Sequence, residues 1–236
     1  MSLPLVSCIM PTRNRREFVP KAIEYFLRQT YPNKQLVIGE DAGDPIPDDV
    51  LCVHGNVWAQ ICHKGLTLGA KRNVLVEACC DSLIAHWDDD DWYGPERLQL
   101  QVDAMQAQHA DVCGLDSPLF YDLRTGKAYR YHCPIRPYLY SATLMYTREY
   151  WARSPFPDIQ VASATPFVWG AGRLDHAAFL NGTGSGWYVG MAHDGNTSPK
   201  DWKCAEYFKP EADIATGLGA DWPFYQGLRD RMGGAA

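Results

Sequence analysis

The stretch Trp87-Asp88-Asp89-Asp90-Asp91-Trp92 sets four consecutive carboxylates between two tryptophans, directly after the apolar run Leu83-Ile84-Ala85. Aspartate is a poor strand former, and four adjacent carboxylates repel one another unless a cation or protons neutralise them. One reading is a solvated acidic loop, the usual fate of a charge run. The other is a divalent-cation site. Magnesium and manganese take oxygen ligands, often only one or two of them protein carboxylates, with water and phosphate supplying the rest. An Asp-x-Asp spacing can put one acid on the metal and another on a ribose hydroxyl. Joined by an imidazole, the cluster favours Mn2+ or Mg2+ bridging a diphosphate.

Such a site needs elements to hold it. Apolar runs bounded by turn residues predict strands at residues 5–10, 35–39, 51–53, 82–87 and 111–115. Between them, helices are expected at 17–29, 68–80 and 94–108. The first of these carries Phe18, Val19, Ala22, Ile23, Phe26 and Leu27 on one face. This alternation predicts an α/β fold, a mainly parallel open sheet with helices on both faces. Ligands bind such sheets outside the carboxyl ends of the strands. Thr12-Arg13, Glu40-Asp41 and Asp88 to Asp91 all fall at those ends, so they should converge on one rim.

Beyond residue 116 the texture changes. A hairpin is expected at 119–131, a strand at 141–146, short helices near 148–152 and from 165, and a last strand at 187–192. We read a single domain, 1–236, with a first half (1–116), a second half (117–200) and an irregular C-terminal extension (201–236), its Gly-rich end mobile. Gly182 to Gly186 reads as a connector, because it lacks the rest of any phosphate-loop fingerprint.

The 236 residues carry a net charge of −6, which argues against a nucleic-acid partner. Eight cysteines without a C-x-x-C suggest free thiols in a reducing cytosol. No apolar segment approaches 18 residues, and the first ten residues lack a basic n-region, so neither a transmembrane segment nor a signal peptide is expected.

Six segments, in order, resemble family 2 glycosyltransferases of the GT-A fold. They are Val6 to Arg15, Gln35 to Asp41, Gly69-Ala70-Lys71-Arg72-Asn73, Trp87 to Leu98, Ser141 to Tyr146, and His193-Asp194-Gly195-Asn196-Thr197-Ser198. The resemblance implies a Rossmann-like nucleotide half and a smaller acceptor-side region. It implies a metal-dependent, inverting transfer from a nucleotide-diphosphate sugar, a UDP-sugar by expectation, to an unknown acceptor. Pro11, Thr12 and Arg13 would form the nucleotide loop. Asp41 would contact the base, Asp88 or Asp89 the ribose, and Lys71 or Arg72 the diphosphate. Asp90 and His193 would hold the metal. Asp91 would serve the scaffold, and His86 reads as packed. Arg13, Arg15 and Arg16, taken singly, read as surface charges. Trp151, Trp169, Trp187 and Trp202 are candidates for a sugar-lined wall, although each alone is more often core.

The chain departs from the family in one place. The general base there is an aspartate ahead of a Phe-x-Trp-like element, and here Phe167-Val168-Trp169 is preceded by Val161-Ala162-Ser163-Ala164-Thr165. Asp158 and Asp175 are the nearest alternatives. The departure leaves open a nucleotide-sugar-binding domain that transfers poorly. Nucleotidyl transfer is disfavoured, because Pro11 to Arg16 contains no glycine.

Overall fold

The computed structural model describes residues 3–43, 45–47, 55–79, 83–133, 137–170, 173–182, 186–198, 200–204, 207–211 and 214–232. Its main sheet has seven strands in the order β10-β6-β9-β4-β1-β2-β3. These are β1 (Val6–Pro11), β2 (Lys34–Asp41), β3 (Val57–Cys62), β4 (Leu83–His86), β6 (Val112–Leu115), β9 (Met145–Thr147) and β10 (Ala177–Leu180). β1 pairs in parallel with β2 and β4, β2 with β3, and β10 with β6. β9 runs antiparallel between β4 and β6.

Near-continuous apolar runs form this sheet because it is covered on both faces. Along β1, Cys8 and Met10 enter one core while Ile9 enters the other; Leu36 and Ile38 oppose Val37 on β2, and Ala85 opposes Ile84 on β4. The first core is closed by α1 (Val19–Leu27) and α3 (Arg97–Gln108). The second is closed by α2 (Leu68–Ala78), α4 (Arg148–Arg153) and α5 (Ala164–Trp169). Helices on both faces of a mainly parallel sheet are what the alternation predicted.

A second sheet has the order β12-β8-β7-β11-β5. It contains β5 (Trp92–Tyr93), the hairpin β7 (Leu119–Asp122) and β8 (Lys127–Tyr131), β11 (Tyr188–Ala192) and β12 (Phe208–Glu211). β5 follows the aspartates and pairs with β11, Trp92 opposite Val189 and Tyr93 opposite Tyr188. The four aspartates are therefore strung between β4 of one sheet and β5 of the other.

The structure departs from the sequence reading in several places. The strand expected at 51–53 lies outside the described residues; among the described ones, β3 (Val57–Cys62) is the strand that follows β2. The expected strand at 141–146 is a 3₁₀ turn over Ser141–Thr143 followed by β9. Residues 177–180, at the end of the segment from 165 expected to be helical at first, form the edge strand β10. Among the described residues after 200 there is regular structure where an irregular extension was expected: β12 is followed by α6 (Ala215–Leu218) and α7 (Trp222–Arg231), with Tyr225 and Leu228 buried, and the Gly-rich end lies outside the described residues. Asp221 anchors this end. It accepts from Trp92 Nε1 at 2.8 Å, pairs with Lys21 at 2.9 Å and with Arg28, and is 4% exposed. Among the described residues, no helix is long and apolar enough to cross a membrane.

Candidate active site

The strand ends deliver the acids. Each of the four aspartates has different partners, and each behaves differently as a result. Asp88 follows Trp87 with its side chain 30% exposed, facing Arg72 Nη2 at 3.8 Å. Asp89 is buried; Thr12 Oγ1 donates to Oδ2 at 2.6 Å and Arg15 Nη1 to Oδ1 at 2.8 Å. Asp90 Oδ2 collects three contacts, from Arg15 Nη1 at 2.8 Å, His193 Nε2 at 3.0 Å and Asn196 Nδ2 at 3.0 Å. Asp91 accepts from Tyr188 Oη at 2.6 Å and the Met191 amide at 2.9 Å, which ties β4 to β11. Its expected scaffold role fits these bonds.

Burial sets the proton affinities apart. It raises Asp88, lifts Asp89 to about 6 with help from the neighbouring Asp90 charge, and pushes Asp91 well above the carboxylate range. For Asp90, burial is outweighed by the His193 hydrogen bond and the Arg15 charge, so its affinity falls below normal.

The side expected to take the nucleotide is built from β1, β2 and the start of α2. Lys71 donates to the Thr12 carbonyl at 3.0 Å and pairs with Asp41, which also faces Arg13 Nε at 3.3 Å. Thr67 caps α2 through the Ala70 amide at 3.2 Å. Gly69 is required there, because a Cβ would lie 1.9 Å from the Pro157 carbonyl oxygen. The 157–163 loop therefore lies against α2, and Arg72 Nη1 reaches Ser163 Oγ at 3.0 Å.

These groups border two adjoining cavities of about 260 and 210 Å³. Pro11, Arg15, Leu68, Asp89 and Thr197 line both, so the two form one continuous cleft. Thr12, Arg13 and Lys71 line the smaller part; Arg72 and Asp88 to Asp91 line the larger. Asp41 is buried beneath this floor at 5% exposure and is held by the two cations.

The wall expected on the acceptor side is different. It is lined by Phe120, Tyr140, Ala162, Ser163, Ala164, Thr165 and Lys200. Ala162 takes φ 58°, a left-handed conformation that costs an alanine roughly 1–2 kcal/mol. Lys200 lies 5.3 Å from the Phe120 ring centroid and 6.0 Å from that of Tyr140, and burial lowers its pKa. Among the described residues, the acids lining the cleft are Asp88 to Asp91. Asp158 is exposed and accepts from Thr67 Oγ1 at 2.6 Å, and Asp175 lies in an exposed turn. The structure brings neither into the cleft. The four candidate tryptophans do not line it either: Trp151 and Trp187 are buried, Trp169 packs on Tyr138 and Trp202 stacks on Tyr129.

Arg15, expected as a surface charge, is instead central, with a side chain 20% exposed and bridged between Asp89 and Asp90. The residue before it, Asn14, takes the left-handed region at φ 54°, which asparagine tolerates. His86 is packed as expected, with Nδ1 2.7 Å from the Ser141 carbonyl.

For a metal, no three His, Cys, Asp or Glu side chains converge as a ligand group among the described residues. The donor types still fit a cation that draws most of its shell from phosphate: the carboxylate of Asp90 lines the cleft, and the imidazole of His193, buried just behind that lining, faces it at 3.0 Å. Phe18 stacks on that imidazole at 5.0 Å and fixes its plane.

A family profile described as glycosyl transferase family 2 matches residues 7–161, which include β1, α2 and all four aspartates. The chain belongs to glycosyltransferase family 2. A putative colanic acid biosynthesis glycosyl transferase, WcaA of Escherichia coli, is 31% identical over 102 residues, 41% of this chain and 36% of that protein. Escherichia coli chondroitin synthase is 26% identical over 117 residues, 47% of this chain and 17% of its own length. The chain thus spans about a third or less of these two relatives. The fold is similar to that of S. aureus TarS 1–349 in complex with UDP, with a TM-score of 0.62 at 16% identity over 80% of this chain and 60% of that one. The TarS complex with UDP-GlcNAc gives 0.61. This likeness bears on the fold, and the mixed α/β GT-A-like architecture expected from the sequence is present.

Proposed function

We propose that this family 2 glycosyltransferase binds a UDP-sugar in the cleft and transfers the sugar, with inversion, to a hydroxyl acceptor entering past Tyr140 and Thr165. The observation that carries the reading is the pairing of Asp90 with His193 at 3.0 Å, on a rim where Arg72 and Lys71 also gather. A nucleotide-diphosphate sugar matches this charge pattern, and the TarS complexes hold UDP and UDP-GlcNAc.

Asp90 and His193 would hold Mn2+ or Mg2+, which supplies Lewis-acid stabilisation to the departing diphosphate when bound. Arg72 adds a fixed positive charge at 3% exposure, where a charge acts more strongly than in water. Asp88 and Asp89 orient the ribose side, and Thr12 with Arg13 bounds the base. We place the activity in the reducing cytosol, on the buried free thiols Cys8, Cys62 and Cys113.

A second reading has its own support. The acceptor wall carries Ala164 where the family carries its base, and Asp158 and Asp175 stand off the cleft. On that reading the chain binds the donor and transfers poorly. Calorimetric titration with UDP should give binding in Mn2+ that disappears in EDTA; equal binding in both sinks the metal assignment. UDP release from a panel of UDP-sugars then separates enzyme from binding domain.

A further inference from the structure

The contacts around His193 are incompatible with a cation at Nε2 in the arrangement observed. The Gly195 amide donates to His193 Nδ1 at 3.1 Å. Because an amide N–H only donates, Nδ1 must be the lone-pair nitrogen, and the ring proton is on Nε2. That Nε2–H points at Asp90 Oδ2. The same oxygen accepts from Arg15 Nη1, and Arg15 Nη2 donates to the Gly195 carbonyl. The peptide units of Gly195 thus fix both blocking groups, the amide holding the tautomer and the carbonyl holding the guanidinium. Glycine is apt here, since a Cβ would meet the imidazole at 3.0–3.1 Å.

We propose that Arg15 and Gly195 form a latch that excludes a divalent cation from Asp90 and His193 until a diphosphate draws the Arg15 guanidinium away. The proposal rests on the metal-dependent reading above. Arg15 lines both parts of the cleft, so it stands where a diphosphate would lie. A guanidinium pairs with phosphate in a two-pronged geometry that the split contact to Asp89 and Asp90 does not offer. Release of Arg15 frees the Gly195 carbonyl, and a turn of that segment frees Nδ1 to take the proton. Nε2 and Asp90 Oδ2 then face the cation together. Cation and nucleotide bind cooperatively as a result, and Arg15 is the positioning residue that couples them.

The test is titration of Mn2+ followed by electron paramagnetic resonance, with and without UDP, on wild type, Arg15→Gln and Arg13→Gln. In wild type, UDP should tighten Mn2+ by about tenfold or more, within the usual span of coupling between sites. Arg15→Gln should bind Mn2+ alone about tenfold tighter than wild type, with little further gain from UDP. Arg13→Gln, which removes an equal charge without the contacts, should match wild type for Mn2+ alone. Unassisted Mn2+ affinity that is unchanged or weaker in Arg15→Gln, or equally raised in Arg13→Gln, overturns the latch. Absence of Mn2+ binding by wild type even with UDP overturns the metal reading beneath it. Nitrogen-15 spectra of the His193 ring give a check that needs no variant. The Nε2-protonated tautomer is expected without cation and the Nδ1-protonated one with Mg2+ and UDP; a ring already Nδ1-protonated without cation refutes the proposal.

Discussion

The two walls of the cleft are built from different materials. On the donor wall every charge is answered: Asp41 by Lys71 and Arg13, Asp89 by Thr12 and Arg15, Asp90 by Arg15, His193 and Asn196. These groups sit at the ends of β1, β2 and β4 or on the first turn of α2, inside a sheet buried on both faces. The acceptor wall comes from the 3₁₀ turn, the 157–165 loop and the segment after β11, and among the described residues it presents hydroxyls, alanines, rings and the single cation Lys200. Rigid strand ends can preorganise charge, which is what stabilising a departing diphosphate requires. Loops vary more readily than strand ends do.

The strongest way to break this contrast is Asp90→Ala. If the donor wall acts through a cation held by Asp90 and His193, UDP affinity in Mn2+ should fall by about 100-fold or more, at or beyond the upper end of what loss of a supporting partner gives. In EDTA the same variant should match wild type. Calorimetry reads both, and an unchanged Mn2+-dependent affinity would transfer the metal to another group.

A pH experiment sharpens the donor side further. Burial and the neighbouring Asp90 charge lift Asp89 to about 6 in the folded protein from its ordinary value of 3.8. An acid raised on folding binds protons more tightly in the native state, so its contribution favours folding at low pH and is lost as pH rises through about 6. With roughly 1.4 kcal/mol per pKa unit, the change between pH 4 and 7 is on the order of 2–3 kcal/mol. Asp89→Asn can still accept from Arg15 and donate to Thr12, so it should flatten this part of the stability profile. Denaturant melts at the two pH values check it, and an unaltered slope places the titration elsewhere.

The contrast also explains what was legible. Four identical aspartates in a row are visible in sequence, and their place at a strand end was enough to predict a donor-side rim. Their separate fates were not legible, because Tyr188, Met191, His193 and Asn196 reach them across about a hundred residues of chain. Arg15 was hidden for the same reason: its partners are set by where β4 ends, not by its neighbours. The acceptor side failed earlier, at the level of elements. β9 inserts between β4 and β6 only after the chain has crossed to the second sheet and back, and no local pattern announces that order. Helix α7 was missed because its buried residues, Tyr225 and Leu228, make a thin stripe in a polar segment.

Asp221 offers a middle case, a charge cluster far from the cleft. Its folded pKa is lowered because Arg28, Trp92 and Lys21 outweigh the cost of burial. Its stabilisation is therefore present above the unfolded pKa and is lost as pH falls through the folded one. Asp221→Ala should cost about 2 kcal/mol, below the figure for a fully buried pair because Lys21 and Arg28 stay partly exposed. Mn2+-dependent UDP binding should persist at temperatures below the melt. A parallel loss of UDP affinity would mean that the C-terminal segment shapes the donor wall.

The smallest expected effect is the most informative about the acceptor wall. Asp175→Asn alters an exposed turn that touches neither cavity, so stability should move by less than about 0.5 kcal/mol and UDP release by less than about twofold. Asp158→Asn keeps an acceptor for Thr67 Oγ1 and should behave almost as quietly, with any change appearing in UDP affinity through α2 and Arg72. Steady-state assays with a responsive UDP-sugar, once found, compare both with wild type. A fall of about 100-fold in turnover at constant UDP affinity for either variant has one physical meaning, because general-base loss costs that much without touching donor binding. The 157–165 loop or the 173–176 turn would then have to close over the bound acceptor and carry a carboxylate into the cleft. In that case the difference between the walls is one of timing, the donor wall assembled beforehand and the acceptor wall completed by its substrate.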